Sequence, residues 1–291
     1  LANVFNEKDA KWSSEYEELK SLLDEDEYRK ARASTLDSFY TAIPIIRAMY
    51  AGIKQLGFTG GKLLEPSAGI GNFIGAMPSD IAATVKSRTM VELDSITGRI
   101  AKALYPNADV RIQGFENANL PDGYMDLVIG NVPFGNTGIV DKSFPKEATR
   151  SIHNYFIAKS LAKTRTGGIV MLITSSYTMD SLDTSFRNYI MKQADLLGAI
   201  RLPNTAFSEN ANTNVVSDIL ILKKRAENTE YNGENFLETA DVVVDGDTFY
   251  ANKYFESHPK MVLGKPAISA GFGQRFGKLT YKPLENNGTI E

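Results

Sequence analysis

The sequence predicts an α/β chain built on a doubly wound sheet of seven strands, the last of them folded back as an antiparallel hairpin. Three observations carry this. Lys62-Leu-Leu-Glu-Pro-Ser-Ala-Gly-Ile-Gly-Asn-Phe-Ile-Gly-Ala76 reads as strand, glycine turn and helix, the corner that opens a βαβ unit. Glu92, at the end of the next apolar strand, follows Gly71 by 21 residues, where doubly wound folds set a carboxylate beside a ligand. Gly167-Gly-Ile-Val-Met-Leu-Ile-Thr174 is an apolar run of the kind buried on both faces of a parallel sheet.

Bulk properties bound the rest. The chain has 291 residues, 43% hydrophobic and 23% charged, enough to bury a core in one large or two small domains. It contains no cysteine, which excludes disulfides and thiolate zinc sites, and its two histidines, His153 and His258, leave little for an imidazole metal site. No metal is expected. No apolar run approaches transmembrane length and no signal peptide is visible, so no membrane partner is expected. The chain opens on Leu1 rather than Met, which suggests an excised domain. Net charge is −3 and the pI about 5.6, without the basic footprint of a stand-alone nucleic-acid binder. If nucleic acid is the substrate, basic residues cluster in one cleft or the grip lies elsewhere.

Taken in order, residues 1–33 mix acids and bases in the manner of a solvated helix or helical hairpin. Thr41 is placed to cap a helix carrying Pro44 in its first turn, with Ile45, Ile46, Met49 and Ile53 at helical spacing. In the glycine turn, Gly69 and Gly71 let the backbone approach a ligand and aim helix N–H groups at it. A dinucleotide fingerprint would place its third glycine at Ile74, so that reading loses ground. Arg88–Asp94 is the second strand, ending in Glu92 and its rival Asp94, and Ile96–Leu104 reads as a helix stopped by Pro106. Val110–Gln113 is a third strand, leading into Phe115 and Glu116. Residues 135–152 form a loop that either folds over substrate or lies on the surface. Residues 153–166 are helical, with His153 as a cap or surface residue rather than a base. Helix 180–192, strand 196–200 and strand 215–223 complete the sheet. Residues 226–291 change to Asn-, Gly- and Glu-rich stretches with short β-like runs, and form a small C-terminal extension.

The chemistry is expected at Asp126-Leu-Val-Ile-Gly-Asn-Val-Pro-Phe-Gly135. Leu127–Ile129 is a short buried strand, and a polar amide, a proline-stiffened turn and an aromatic follow it. A purely structural strand-end loop more often uses Asp-Gly or Asn-Gly and gains nothing from a Phe held out of the core. The arrangement suits acceptance of a substrate amino group by Asn131 and the adjacent carbonyl, with Phe134 stacked on the ring that carries it.

At these residues the chain resembles the amino-methyltransferases, whose fourth motif reads Asn/Asp/Ser-Pro-Pro-Tyr/Phe; here it is Asn131-Val132-Pro133-Phe134, with Val132 where the first Pro falls. Phe39-Tyr40-Thr41 resembles the opening Phe-Phe-Thr-Pro motif of adenine-specific members, with Ala42 in place of Pro. The resemblance implies a Rossmann-like methyltransferase fold and S-adenosylmethionine as cofactor. It places Tyr40 and Thr41 beside the methionine end, and Glu65, Pro66, Ser67, Ala68, Gly69 and Gly71 around the amino-acid part. Glu92, with Leu93, falls on the ribose, and Phe115 and Glu116 on the adenine, in reversed order from the family's Asp-Phe. Arg201-Leu-Pro-Asn-Thr-Ala-Phe207 and the strand after it resemble the last block of type I modification subunits and of methylases fused to helicases in phages and mobile elements. Phe207 is there either a wall of the flipped-base pocket or a core residue.

These features imply a methyltransferase domain over 34–225, acting on the exocyclic N6 amine of adenine in double-stranded DNA. The base would be flipped out, with further domains or a subunit supplying target recognition. A cytoplasmic protein, encoded by a bacterium, phage or mobile element, is expected. Methylation of a protein glutamine amide is a second reading, and a non-catalytic cofactor- or DNA-binding module of a larger machine a third.

Overall fold

A computed structural model of the chain describes residues 2–7, 9–25, 27–29, 31–32, 41–135, 137–207, 216–269 and 278–284. Seven strands form one sheet in the order β3-β2-β1-β4-β5-β7-β6: β1 (Gly61–Glu65), β2 (Val85–Glu92), β3 (Asp109–Ile112), β4 (Met125–Asn131), β5 (Thr164–Ser175), β6 (Ala194–Leu202) and β7 (Ser217–Lys224). β1, β2, β3, β4 and β5 pair in parallel, and β7 runs antiparallel between β5 and β6. The doubly wound sheet with its antiparallel last hairpin is therefore as expected. β5 begins at Thr164, three residues before the glycine pair, because Met125 of β4 pairs with Thr164 across a register shift.

The alternation of side chains along the central strands explains their unbroken apolarity. Leu127 and Ile129 of β4 and Ile169, Met171 and Ile173 of β5 point into one core layer; Val128, Val170 and Leu172 point into the other. The first layer is covered by α2 (Ile43–Gln55), whose Ile45, Ile46, Met49, Tyr50 and Ile53 are buried at helical spacing. The charged N-terminal stretch holds α1 (Ser13–Leu22), with Tyr16 buried. The second layer is covered by α4 (Ile152–Lys163) and α5 (Ser185–Met191), while α3 (Ser95–Leu104) connects β2 to β3. Two expectations are corrected here. Ala42, not Thr41, is the N-cap of α2, and Thr41 lies inward and buried instead. Helix 180–192 is split, α5 starting only at Ser185, whose N–H donates to the Asp183 carboxylate at 2.9 Å.

After β7 the chain packs back on the sheet. β8 (Thr239–Val244) pairs with β9 (Asp247–Asn252), and β10 (Gly264–Ser269) with β11 (Lys278–Pro283). The joint is a buried cation. Arg201 of β6 donates through Nε and Nη2 to the two oxygens of Asp218, each at 2.9 Å, and lies 2.8 Å from Asp180. Its Nη1 donates to the Tyr281 hydroxyl at 3.2 Å, and its guanidinium stacks 4.2 Å from the Phe255 ring centroid. No helix among the described residues is long and apolar enough to cross a membrane.

Candidate active site

The carboxyl ends of β1, β2 and β4 converge on a cavity of about 800 Å³. Its floor is the turn after β1. Gly71 sits at φ +87° as the N-cap of a single-turn helix (Asn72–Gly75), a conformation that L side chains rarely adopt. A Cβ there would lie 2.4 Å from the Tyr105 ring and 2.6 Å from Met90 Cε, so glycine is required twice over. Pro66, Ser67, Ala68 and Gly69 line the cavity, whereas Gly71 supports the turn from behind.

Glu92, at the end of β2, fixes that turn from the side. The Gly69 N–H donates to Oε2 at 2.6 Å and the Asp94 N–H to Oε1 at 2.8 Å. Asp94 has a different task, capping α3 by accepting from Ile96 and Thr97 at 3.0 and 2.8 Å. The rivalry between the two acids is thus resolved structurally, with only Glu92 tied to the glycine turn. Leu93 beside it is exposed at the cavity rim.

Thr41 Oγ1 and Glu65 Oε2, in residues of the cavity wall, are buried without a hydrogen-bond partner among the described residues. Burial raises the Glu65 carboxyl well above the ordinary range, the charge of Glu92 adds to this, and the Phe73 N–H pulls the other way. Glu92 is raised too, first by burial, against the two N–H groups it accepts. Two carboxyls and a hydroxyl at the wall of one cavity suit a ligand bearing an ammonium and hydroxyl donors.

On the far side lie Gln113, Phe115 and Glu116. Phe115 is buried, its ring centroid 5.0 Å from that of Phe156. The Glu116 side chain folds over Gly114 and accepts from Asn117 Nδ2 at 2.9 Å. Ile139, Ile152 and Phe156 close the wall.

Asn131 ends β4 at the cavity wall, with Val132 and Pro133 following it there. Ser67 Oγ donates to the Asn131 backbone carbonyl at 2.5 Å, tying this turn to the glycine turn. The Val132 N–H, which a proline would lack, donates to the Ile173 carbonyl at 3.0 Å. Val132 thus extends the ladder to β5 instead of loosening the turn. Phe134 is half-buried and meets Phe207 edge-on, ring centroids 6.3 Å apart.

The remaining sequence-derived positions divide. Phe207 is buried in the core layer behind Phe134 and does not line the cavity, because its ring is consumed by packing. Tyr40 falls outside the described residues. His153 is neither cap nor surface residue: Ser151 is the N-cap of α4, and His153 is buried, its imidazole pushed down to about 4 by burial while the backbone at Gly135 partly opposes this. Sequence reasoning missed Lys159, a buried cation on the inward face of α4 whose Nζ donates to the Glu116 carbonyl at 2.8 Å. The signal was a lysine four residues after Tyr155 and three after Phe156, on their helix face.

The sheet is that of solved methyltransferases. A Listeria monocytogenes protein described as a class I S-adenosylmethionine-dependent methyltransferase superimposes with a TM-score of 0.57 at 20% identity, over 80% of each chain. The methyltransferase subunit of a type I restriction-modification system from Streptococcus thermophilus does so with a TM-score of 0.56 at 18% identity, over 73% of this chain and 52% of that one. The protein therefore has a methyltransferase fold. More narrowly, residues 86–207 match the family described as Eco57I restriction-modification methylase. Defense against restriction protein B of Escherichia phage P1 is 34% identical over 231 residues, 76% of this chain, although the chain spans only 10% of that protein's length. Family and fold imply S-adenosylmethionine as cofactor, and the orphaned oxygens of Thr41 and Glu65 fit its ammonium and hydroxyl donors.

Proposed function

We propose that this chain transfers the methyl group of S-adenosylmethionine to the exocyclic N6 amine of adenine in DNA. The observation that carries the reading is the placement of Asn131, Val132 and Pro133 in the wall of the cavity that also holds Glu65, Thr41 and the glycine turn. A group that accepts amine protons and a group that holds a cationic ligand thereby share one space.

Thr41, Glu65, Ser67–Gly69, Glu92, Leu93, Phe115 and Glu116 would hold the cofactor, which supplies a methyl group activated on a sulfonium. The amine of adenine is a poor nucleophile because its lone pair is delocalised into the ring. The Asn131 side-chain oxygen and the Val132 carbonyl would accept hydrogen bonds from its two N–H groups, which turns the lone pair toward the methyl group. The N–C bond forms as the sulfonium C–S bond breaks, and the surplus proton on the nitrogen leaves to solvent. Positioning and electrostatics then do the rest, without a covalent intermediate on the protein. Ser67 keeps the Asn131 backbone in register for this, and the Val132 N–H locks the turn to β5. The flipped base stacks on Phe134, with Phe207 as a positioning residue behind it.

The domain of residues 34–225 would carry the reaction. Double-stranded DNA would be gripped partly by further domains or a subunit, consistent with the small fraction of the phage relative that the chain spans. The test is nucleoside mass analysis of unmethylated DNA incubated with S-adenosylmethionine. N6-methyladenine from the wild type and none from Asn131→Ala supports the assignment. Cofactor binding without any methylated base from the wild type favours a module that binds but does not turn over.

A further inference from the structure

Lys159 is a lysine in the wrong place for a purely structural role. It is buried between the rings of Phe115 and Tyr155, at 5.3 and 5.8 Å from their centroids. Burial lowers its pKa and the charge of Asp141 opposes that. A methionine would fill the same space without desolvating a charge. The cation does, however, reach two separate walls of the cavity. Its Nζ donates to the backbone carbonyl of Glu116, in the turn Phe115–Asn117. It also lies 4.0 Å from Asp141 Oδ2, the oxygen that accepts the Tyr155 hydroxyl at 2.7 Å.

Asp141 belongs to the segment that brings Ile139 to the cavity wall. Its Oδ1 accepts from Ser143, and the Ile139 N–H donates to the Thr149 carbonyl, so the segment is held as a unit. The neighbouring cation Lys163 is engaged elsewhere, its Nζ donating to the Leu120 carbonyl and to Asp122, whereas the Glu116 turn and the Asp141 segment each offer Lys159 one acceptor: a backbone carbonyl and a carboxylate.

We infer that Lys159 is a positioning residue that ties the Phe115–Asn117 turn to the 137–145 segment and so fixes two parts of the cavity lining relative to one another. The inference rests on the cavity being the cofactor site. Removing the cation frees two walls that the cofactor must otherwise find already in place, so affinity falls although no ligand contact has been deleted.

The experiment compares wild type, Lys159→Met and Asp141→Asn, at a temperature where circular dichroism shows each fully folded. Titration calorimetry with S-adenosylmethionine reads affinity. Limited trypsin digestion reads the segment, whose Lys142 and Lys146 are exposed cleavage sites. In the wild type, cofactor is expected to protect both sites. Lys159→Met is expected to bind cofactor at least about ten-fold more weakly. In Asp141→Asn, which leaves the Glu116 wall intact, cofactor is expected no longer to protect Lys142 and Lys146. Should Lys159→Met not fold, Asp141→Asn decides alone. Wild-type affinity together with wild-type protection in the folded variants overturns the role of Lys159. A wild type that binds no S-adenosylmethionine overturns the cofactor assignment itself, and this inference falls with it.

Discussion

The Gly69 N–H donates to Glu92 Oε2 at 2.6 Å, so the turn after β1 is shaped by the carboxylate that ends β2. The same carboxylate accepts the Asp94 N–H on its other oxygen. Glu92→Ala leaves both donors without their acceptor. Stability is expected to fall by about 1–3 kcal/mol, and cofactor affinity by about ten-fold or more, because the turn relaxes. Urea unfolding and calorimetric titration measure the two effects separately.

Glu65 gives a pH dependence of unusual sign. Its folded-state pKa is raised by burial, so the cofactor-free folded chain retains a proton that the unfolded chain releases above the ordinary value of 4.5. The group therefore withdraws stability as pH rises from 4.5 toward its folded value. Glu65→Gln removes that loss, and the cofactor-free variant is expected to melt higher at neutral pH than the wild type. Binding of the cofactor's ammonium favours the ionised carboxylate, so it should release protons, which calorimetry in buffers of different ionisation heat detects. Glu65→Gln should abolish that release and weaken binding.

Val132→Pro restores the more familiar motif and is expected to harm the protein. It deletes the N–H that donates to Ile173 and strands that carbonyl, at a cost of about 1–3 kcal/mol. The melting temperature should drop and methyl transfer should not improve. A faster variant of unchanged stability would show that the valine is a lesion.

His153 changes stability with pH in the opposite direction from Glu65. Its pKa falls from 6.5 to about 4 in the folded state, so the stability it supports is present above 6.5 and is lost as pH falls toward 4. The loss should reach on the order of 3 kcal/mol at the acid end. His153→Gln should flatten urea midpoints across that range.

Much of this was legible in the sequence, for reasons that are themselves physical. β4, β5 and the glycine turn announce themselves because a strand buried on both faces has no polar alternation, and because Gly71 occupies a backbone region that other residues avoid. Asn131, Glu65 and Glu92 follow from strand ends, which parallel topology gathers at one edge. Side-chain direction was not legible. Thr41 reads as a cap but turns inward, and Phe207 reads as core more readily than as pocket, a choice that only its packing against Phe134 decides. Lys159 escaped because lysines on helices are normally solvated. Arg201 and Asp218 lie 17 residues apart, and only the register of β6 against β7 sets them opposite one another.

The buried Arg201 also decides how the molecule comes apart. Its counter-charges come from β7 (Asp218) and from the short helix after β5 (Asp180), while Tyr281 and Phe255, which wrap the guanidinium, come from the segment beyond β7. A guanidinium stripped of that wrapping is left half-solvated beside two carboxylates, a state with little to recommend it over full unfolding. Extension and sheet should therefore melt as one cooperative unit, with a single calorimetric peak. A cut after Lys224 should yield an aggregating fragment in place of a smaller enzyme.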